Sequence, residues 1–166
     1  MPGRVIGKEM PMGYPGSYAR TPDCIIMNRI AKDEIAFGAP VVLNADNTYS
    51  AFAATNTAAQ FGGVAVREVK QTTKYLDQNA VAYEAGAQCD VLERGNIIVR
   101  CGKGTPTAGG KVYIRKAANA TYPDAKVGDF EAEADGNNTV ELTNAYWTTG
   151  RIDADKVAEL TIKYKA

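Results

Sequence analysis

Two clusters of Asp and Asn side chains are the residues of this chain best suited to holding a metal ion. The first contains Asp46 and Asn47, and the second contains Asp135, Asn137 and Asn138. Calcium takes about six to eight oxygen ligands, and neither cluster has the spaced acids or the closing Glu of a calcium loop. Because Asp and Asn also favour tight turns, we interpret both clusters as turns and predict no metal site.

Nucleophilic and acid–base chemistry is poorly represented. The chain has no histidine, which removes the commonest general base and the Ser-His and Cys-His dyads. The three cysteines, Cys24, Cys89 and Cys101, are widely spaced and form no CxxC pair, so we expect core thiols rather than disulfides or a zinc site. The glycine-rich stretch 102–110 lacks the Gly-Lys-Ser/Thr ending of a phosphate loop and precedes an expected strand. We therefore predict a protein that is not an enzyme and uses no cofactor.

Charge and hydropathy exclude two classes of partner. The 19 basic and 19 acidic residues are interspersed, so no basic stripe marks a nucleic-acid interface. No apolar stretch approaches the ~20 residues of a membrane helix, and the first residues lack the apolar region of a secretory signal. We expect neither nucleic acid nor membrane as a partner.

Residues 1–23 have the composition of an extended arm. They hold four of the seven prolines and four glycines, so neither a helix nor a strand ladder is expected to continue through them. Yet they carry apolar side chains that a flexible tail in water rarely has. We predict an arm that becomes ordered on a partner, followed by one β domain over residues 24–166; its proposed anchors are Val5, Ile6, Met12, Tyr14 and Tyr18.

The rest of the chain has the pattern of an all-β protein. Short apolar runs alternate with Gly, Asn and Asp clusters, which predicts a small β-barrel or β-sandwich. Strands are expected at 24–30, 41–43, 48–53, 61–69, 112–115 and 139–143. Gly95-Asn96 lies between two apolar runs and predicts a type II′ hairpin turn. Leu160, Ile162 and Tyr164 alternate with polar residues, as in a last strand with one solvated face.

Tyr146 and Trp147 form an aromatic pair with two interpretations. An exposed pair would be a platform for stacking sugar rings. Aromatic side chains are also enriched in cores and at interfaces between subunits. We favour the core or a subunit interface.

A succession of segments resembles one protein family. These segments are PVVL (40–43), FGGVAVREVKQ (61–71), CDVLERGNIIVRC (89–101), GTPTAGGKVYIR (104–115), FEAEADGNNTVELTNAYWTTG (130–150) and VAELTI (157–162). Together with the Gly/Pro-rich opening, they resemble the structural cement proteins, which decorate the heads of tailed bacteriophages. The resemblance extends over nearly the whole chain and includes no catalytic signature.

The resemblance implies a location and a partner. It implies a mostly-β protein that is made in the cytoplasm of the host bacterium and binds the outer surface of the mature phage head. There it would fasten neighbouring subunits of the major capsid protein, as a homo-oligomer for which a trimer is favoured. The alternative is a carbohydrate- or receptor-binding β module on the tail or head surface of the virion.

Overall fold

The computed structural model describes residues 11–68 and 81–163, and these confirm the all-β expectation. No α-helix occurs in the described ranges, which contain two short 3-10 turns at Ala58–Gln60 and Gly136–Asn138. The strands are β1 (Tyr18–Ile30), β2 (Ile35–Ala36), β3 (Pro40–Leu43), β4 (Tyr49–Ala51), β5 (Phe61–Ala65), β6 (Ala82–Tyr83), β7 (Gln88–Arg100), β8 (Val112–Arg115), β9 (Phe130–Glu131), β10 (Thr139–Leu142), β11 (Ala145–Ile152) and β12 (Val157–Ile162).

The strands form three antiparallel sheets, and none of them closes into a barrel. The largest sheet has the order β11-β12-β7-β5-β3-β4, with β1 also paired to β7. A second sheet has the order β10-β8-β9, and β2 pairs with β6 in a third. Of the two architectures expected from the sequence, a β-barrel or a β-sandwich, the barrel is therefore wrong. The long strand β7 is the organising element, because β1, β5 and β12 all pair with it.

Two apolar clusters cover opposite faces of β7. Leu92 belongs to the larger cluster and its neighbour Val91 to the smaller one, as the alternation of side chains along a strand requires. The larger cluster also takes residues from the three-stranded sheet, and Phe61 meets Phe130 edge to face across it at 6.4 Å between ring centroids. β7 is consequently apolar on both faces, unlike a strand with one solvated side.

A buried ion pair links β8 to β9 in the three-stranded sheet. Arg115 and Glu131 are both fully buried, and their side chains are joined by two hydrogen bonds. Arg115 also donates to Asp135 Oδ2 at 2.9 Å, and Asn119 Nδ2 donates to the same oxygen at 2.9 Å. These hydrogen bonds, from Asn119 first and Arg115 next, lower the pKa of Asp135 to about 2.

Gly95 and Asn96 do not form the expected hairpin turn. They lie in the middle of β7, where Arg94 pairs with Ile25 and Asn96 pairs with Arg20 of β1. The glycine is required for another reason: its φ is 126°, and a Cβ added there would lie 2.6 Å from the carbonyl oxygen of Asp23. Gly95 thus permits the irregular part of β1 to pass close to β7.

The last described strand also differs from the expectation. β12 lies between β11 and β7, so both of its edges are paired, and buried side chains, including Glu159, occur on both of its faces. The alternation at Leu160 and Ile162 therefore indicates a central strand rather than a half-solvated one. Tyr164 lies outside the described residues. The expected strands at 24–30, 41–43, 112–115 and 139–143 are confirmed by β1, β3, β8 and β10.

Candidate binding surface

The described part of the predicted arm is partly built into the β domain. Val5 and Ile6 lie outside the described residues, and β1 begins at Tyr18, within the predicted arm. Tyr18 pairs with Ile97 of β7, so the expectation that no strand ladder passes through residues 1–23 is wrong here. The register shifts between residues 20 and 25, around Pro22. A proline is tolerated at such an interruption because its missing N–H is not needed for the ladder.

Gly16 fixes the chain immediately before β1. Its N–H donates to the carbonyl of Ile98 at 2.7 Å, and its own carbonyl accepts from the N–H of Arg67 at 2.8 Å. Its φ is 85°, and an added Cβ would lie 2.8 Å from Arg67 N and 2.9 Å from Gly38 N. Only glycine fits where three backbone segments approach this closely.

Tyr14 is the most exposed of the described anchor residues, at 68%. The guanidinium of Arg67 lies 5.0 Å from the centroid of its ring and 5.4 Å from that of Phe37, which is buried. A cation between two aromatic rings is a favourable contact that limits where the outer ring can go. The fold therefore presents Tyr14 to solvent in a defined position.

Met12, Tyr18 and Arg20 attach the same segment to the sheet. The N–H of Met12 donates to Asp153 Oδ2 at 3.1 Å, in the turn between β11 and β12. The hydroxyl of Tyr18 donates to Glu68 at 2.6 Å, and burial together with this bond raises the pKa of Tyr18. We call residues 11–20 the arm root; Met12 and Tyr18 are half-buried in it, and Tyr14 is exposed.

The outer edge of β1 is a second candidate surface, which the sequence did not indicate. In the described part of the chain β1 pairs with β7 alone. Ile26, Met27 and Ile30 are 37%, 39% and 45% exposed there. The run CIIMNRI predicts a strand, but a strand pattern does not reveal which strand lies at an edge of the sheet.

Trp147 and Tyr146 lie on different faces of β11. Trp147 is completely buried in the larger cluster, so it is a core residue and offers no surface for stacking sugars. Tyr146 is half-buried, with the amine of Lys163 5.0 Å from its ring centroid. The place of Tyr146 at a subunit interface stays a prediction.

The residues with reactive or ligating side chains have structural surroundings. Asp46 Oδ1 accepts hydrogen bonds from the N–H and hydroxyl of Thr48, as in an Asx turn, and within residues 11–68 and 81–163 no group of three acids or thiols is placed to hold a metal. Burial raises the pKa of Cys89 to about 12 and that of Cys101 to about 11. No helix of the described residues is long and apolar enough to span a membrane.

A family model and a solved structure each match nearly the whole of this chain. The family model described as "Structural cement protein (E217 gp24/Pam3 gp6)" matches residues 1–163. A solved structure titled "The capsid of Myoviridae Phage XM1" contains a chain with the same fold, at a TM-score of 0.72 and 14% sequence identity. The match covers 97% of this chain and 96% of the other. No curated protein gave a significant match.

Proposed function

This chain belongs to the structural cement protein family of bacteriophages, and from that premise we propose that it binds the outside of the mature head and clips neighbouring major capsid subunits together. The family carries a structural, non-enzymatic role on the virion. The arm root supports the proposal that the protein clips capsid subunits together. There, Gly16 and Arg67 hold the exposed side chain of Tyr14 in a defined position.

In this proposal the β-sandwich is the rigid body and the arm is the clip. A clip resists the separation of capsomers if it adds buried area across a joint while its own fold stays intact. Val5 and Ile6 would supply apolar area for a capsid subunit or a neighbouring copy. Tyrosine and arginine side chains such as Tyr14 and Arg67 are enriched at such interfaces.

Repetition multiplies the contribution of each copy. One arm that buries two aliphatic side chains gains only about 3–6 kcal/mol, which is less than the about 10 kcal/mol or more that ordering ten residues of backbone costs. A closed shell offers many identical sites, and a trimer holds up to three arms at one location. Each additional arm then binds at a high effective concentration, which strengthens the whole assembly.

Co-sedimentation of the purified protein with two shells of its own phage tests this function. We expect saturable binding to expanded, undecorated heads and none to compact proheads, because the site is created when the shell matures. Since the net charge is zero and the anchors are apolar, binding should change little with salt concentration. Binding to neither shell would refute the proposal.

A matched pair of variants locates the contact. Tyr14→Ala should weaken head binding at least about tenfold, as truncation of an interfacial tyrosine commonly does. Tyr122→Ala is the control, since Tyr122 is also an exposed tyrosine, at 39%, but lies in the loop between β8 and β9. Equal loss in both variants would show that Tyr14 has no special role.

A further inference from the structure

The outer edge of β1 is regular over residues 26–30. These residues pair one for one with β7, from Ile26 opposite Leu92 to Ile30 opposite Gln88, and all register shifts lie before them. Natural proteins protect open edges with proline, lysine or bulges, and residues 26–30 contain none of these. Their one charged side chain, Arg29, donates to Asn47 and Glu93 and is thereby held over the sheet.

Both faces of this edge carry apolar side chains. Ile26 and Ile30 point to one face, and Met27 points to the other, because side chains alternate along a strand. All three are more than a third exposed. Among residues 11–68 and 81–163, β1 pairs with β7 alone, and an edge with apolar flanks of this kind has the properties of a site that accepts an added strand.

We propose that this edge binds residues Gly3–Met10 of a second copy of the chain as an added β-strand. The segment is the longest stretch without proline in the first 21 residues, since it lies between Pro2 and Pro11. Val5 and Ile6 are adjacent, so they would point to opposite faces. One would then contact Ile26 and Ile30, and the other would contact Met27.

The donor is a second copy because of where the arm leaves the fold. Met12 is hydrogen-bonded to Asp153, which is next to Val157 in the β11–β12 turn, and Val157 pairs with Arg100 at the end of β7. The edge lies beside the other end of β7, at residues 88–92. Val5 is seven residues before Met12. If the arm of the same copy reversed at Met12 and ran back fully extended along β7, it would therefore bring Val5 no further than the level of residue 93 of β7. The apolar anchors would stop short of the edge.

This inference rests on the proposed function in one respect, which is that the arm identified there as the clip binds a second decorating copy. A contact between the arm of one copy and the edge of the next is heterologous, so it closes into a ring when the rotation between copies allows it. Such a ring would lock decorating copies to one another as well as to the shell. It also covers the exposed edge of every copy.

Complementation between two variants of the full chain tests the exchange. The arm variant is Val5→Asp/Ile6→Asp, the edge variant is Ile26→Glu/Ile30→Glu, and Ile152→Glu is the control at another exposed isoleucine. In sedimentation velocity, we expect the native chain and the control to associate as concentration rises, and each double variant to stay monomeric. An equimolar mixture of the two double variants should form a dimer, because one partner retains an arm and the other an edge.

A labelled peptide of residues 1–10 gives the direct measurement. It should bind the arm variant saturably and bind the edge variant at least about tenfold more weakly. The same peptide N-methylated at alternate residues should lose binding if backbone hydrogen bonds form the added strand. Near-ultraviolet circular dichroism of the buried Trp147 establishes that each variant is folded.

Two results would overturn the exchange. One is the absence of saturable peptide binding to the folded arm variant up to about 1 mM. The other is loss of head binding in the edge variant without any peptide binding, which would make a capsid segment the occupant of the edge. In that second case the native chain still binds expanded heads, so the proposed function stands while this inference fails.

Discussion

Replacing Gly16 by alanine tests whether the arm root is held as tightly as its contacts indicate. The matched control is Gly13→Ala, because both glycines have positive φ values, 85° at Gly16 and 118° at Gly13. An alanine costs about 1–2 kcal/mol in this conformation, so both variants should lose that much. At Gly13 the added Cβ meets only Ser17, at 3.8 Å, which is an ordinary contact.

At Gly16 a steric clash adds to the conformational cost of alanine. The new Cβ would lie under 3.0 Å from two backbone nitrogens, and backbone atoms cannot rotate away as a side chain does. Relieving the clash means weakening the two backbone hydrogen bonds of Gly16, at about 1 kcal/mol each. We therefore expect Gly16→Ala to lower the free energy of unfolding by about 3–4 kcal/mol, and Gly13→Ala by about 1–2 kcal/mol.

Urea unfolding followed by the fluorescence of the single Trp147 measures both values. With a slope of about 2 kcal/mol per molar urea, the midpoint should fall by about 1.5–2 M for Gly16→Ala and by about 0.5–1 M for Gly13→Ala. Equal midpoints for the two variants would mean that the arm root is not packed against residues 38 and 67. Tyr14 would then not be held in a fixed position before the protein binds its partner.

Two further predictions concern ionisation. Hydrogen bonds from Asn119 and Arg115 lower the pKa of Asp135 to about 2, so the contribution of its carboxylate to stability is present above pH ~4 and is lost as the pH falls toward 2. Asp135→Asn should flatten that part of an acid unfolding curve. An unchanged curve would contradict this expectation. Because burial raises the pKa of Cys89 and Cys101, a thiol reagent at pH 8 should label only the half-exposed Cys24 until the protein is unfolded, and fast labelling of three thiols would refute their burial.

Much of the fold could be predicted from local pattern. The strands at 41–43 and 112–115 are apolar runs bounded by turn residues, and their type is determined by that pattern alone. The turn at Asp46 follows from the capacity of Asx side chains to bond nearby backbone groups, whereas at Asp135 the backbone N–H donates to the hydroxyl of Thr139. For Trp147 the core interpretation is the correct one, because its side chain projects from β11 into the larger apolar cluster.

What the sequence could not supply is which strands meet. Gly95-Asn96 has the sequence of a hairpin turn, but the decisive neighbour is the carbonyl of Asp23, more than seventy residues away. The same limitation concealed the edge at Ile26–Ile30, since a CIIMNRI run has the same pattern in a central strand and in an edge strand. Glu159 looks like a solvated position in the sequence, but it is buried and its carboxylate accepts hydrogen bonds from Arg20 of β1 and Asn96 of β7.

The position of the arm root changes how the clip must be understood energetically. If residues 1–23 all became ordered on binding, the contact would have to offset about 1 kcal/mol or more of backbone entropy for each. The thirteen residues from Pro11 to Asp23 are already fixed by Gly16, by the Met12–Asp153 bond and by β1. Folding of the β domain therefore meets that part of the entropy cost, and in the proposed function the partner has to order residues 1–10 alone. Ordering ten residues still costs about 10 kcal/mol or more, which exceeds the about 3–6 kcal/mol gained by burying Val5 and Ile6, so the anchor also requires backbone hydrogen bonds and the repeated sites of the shell.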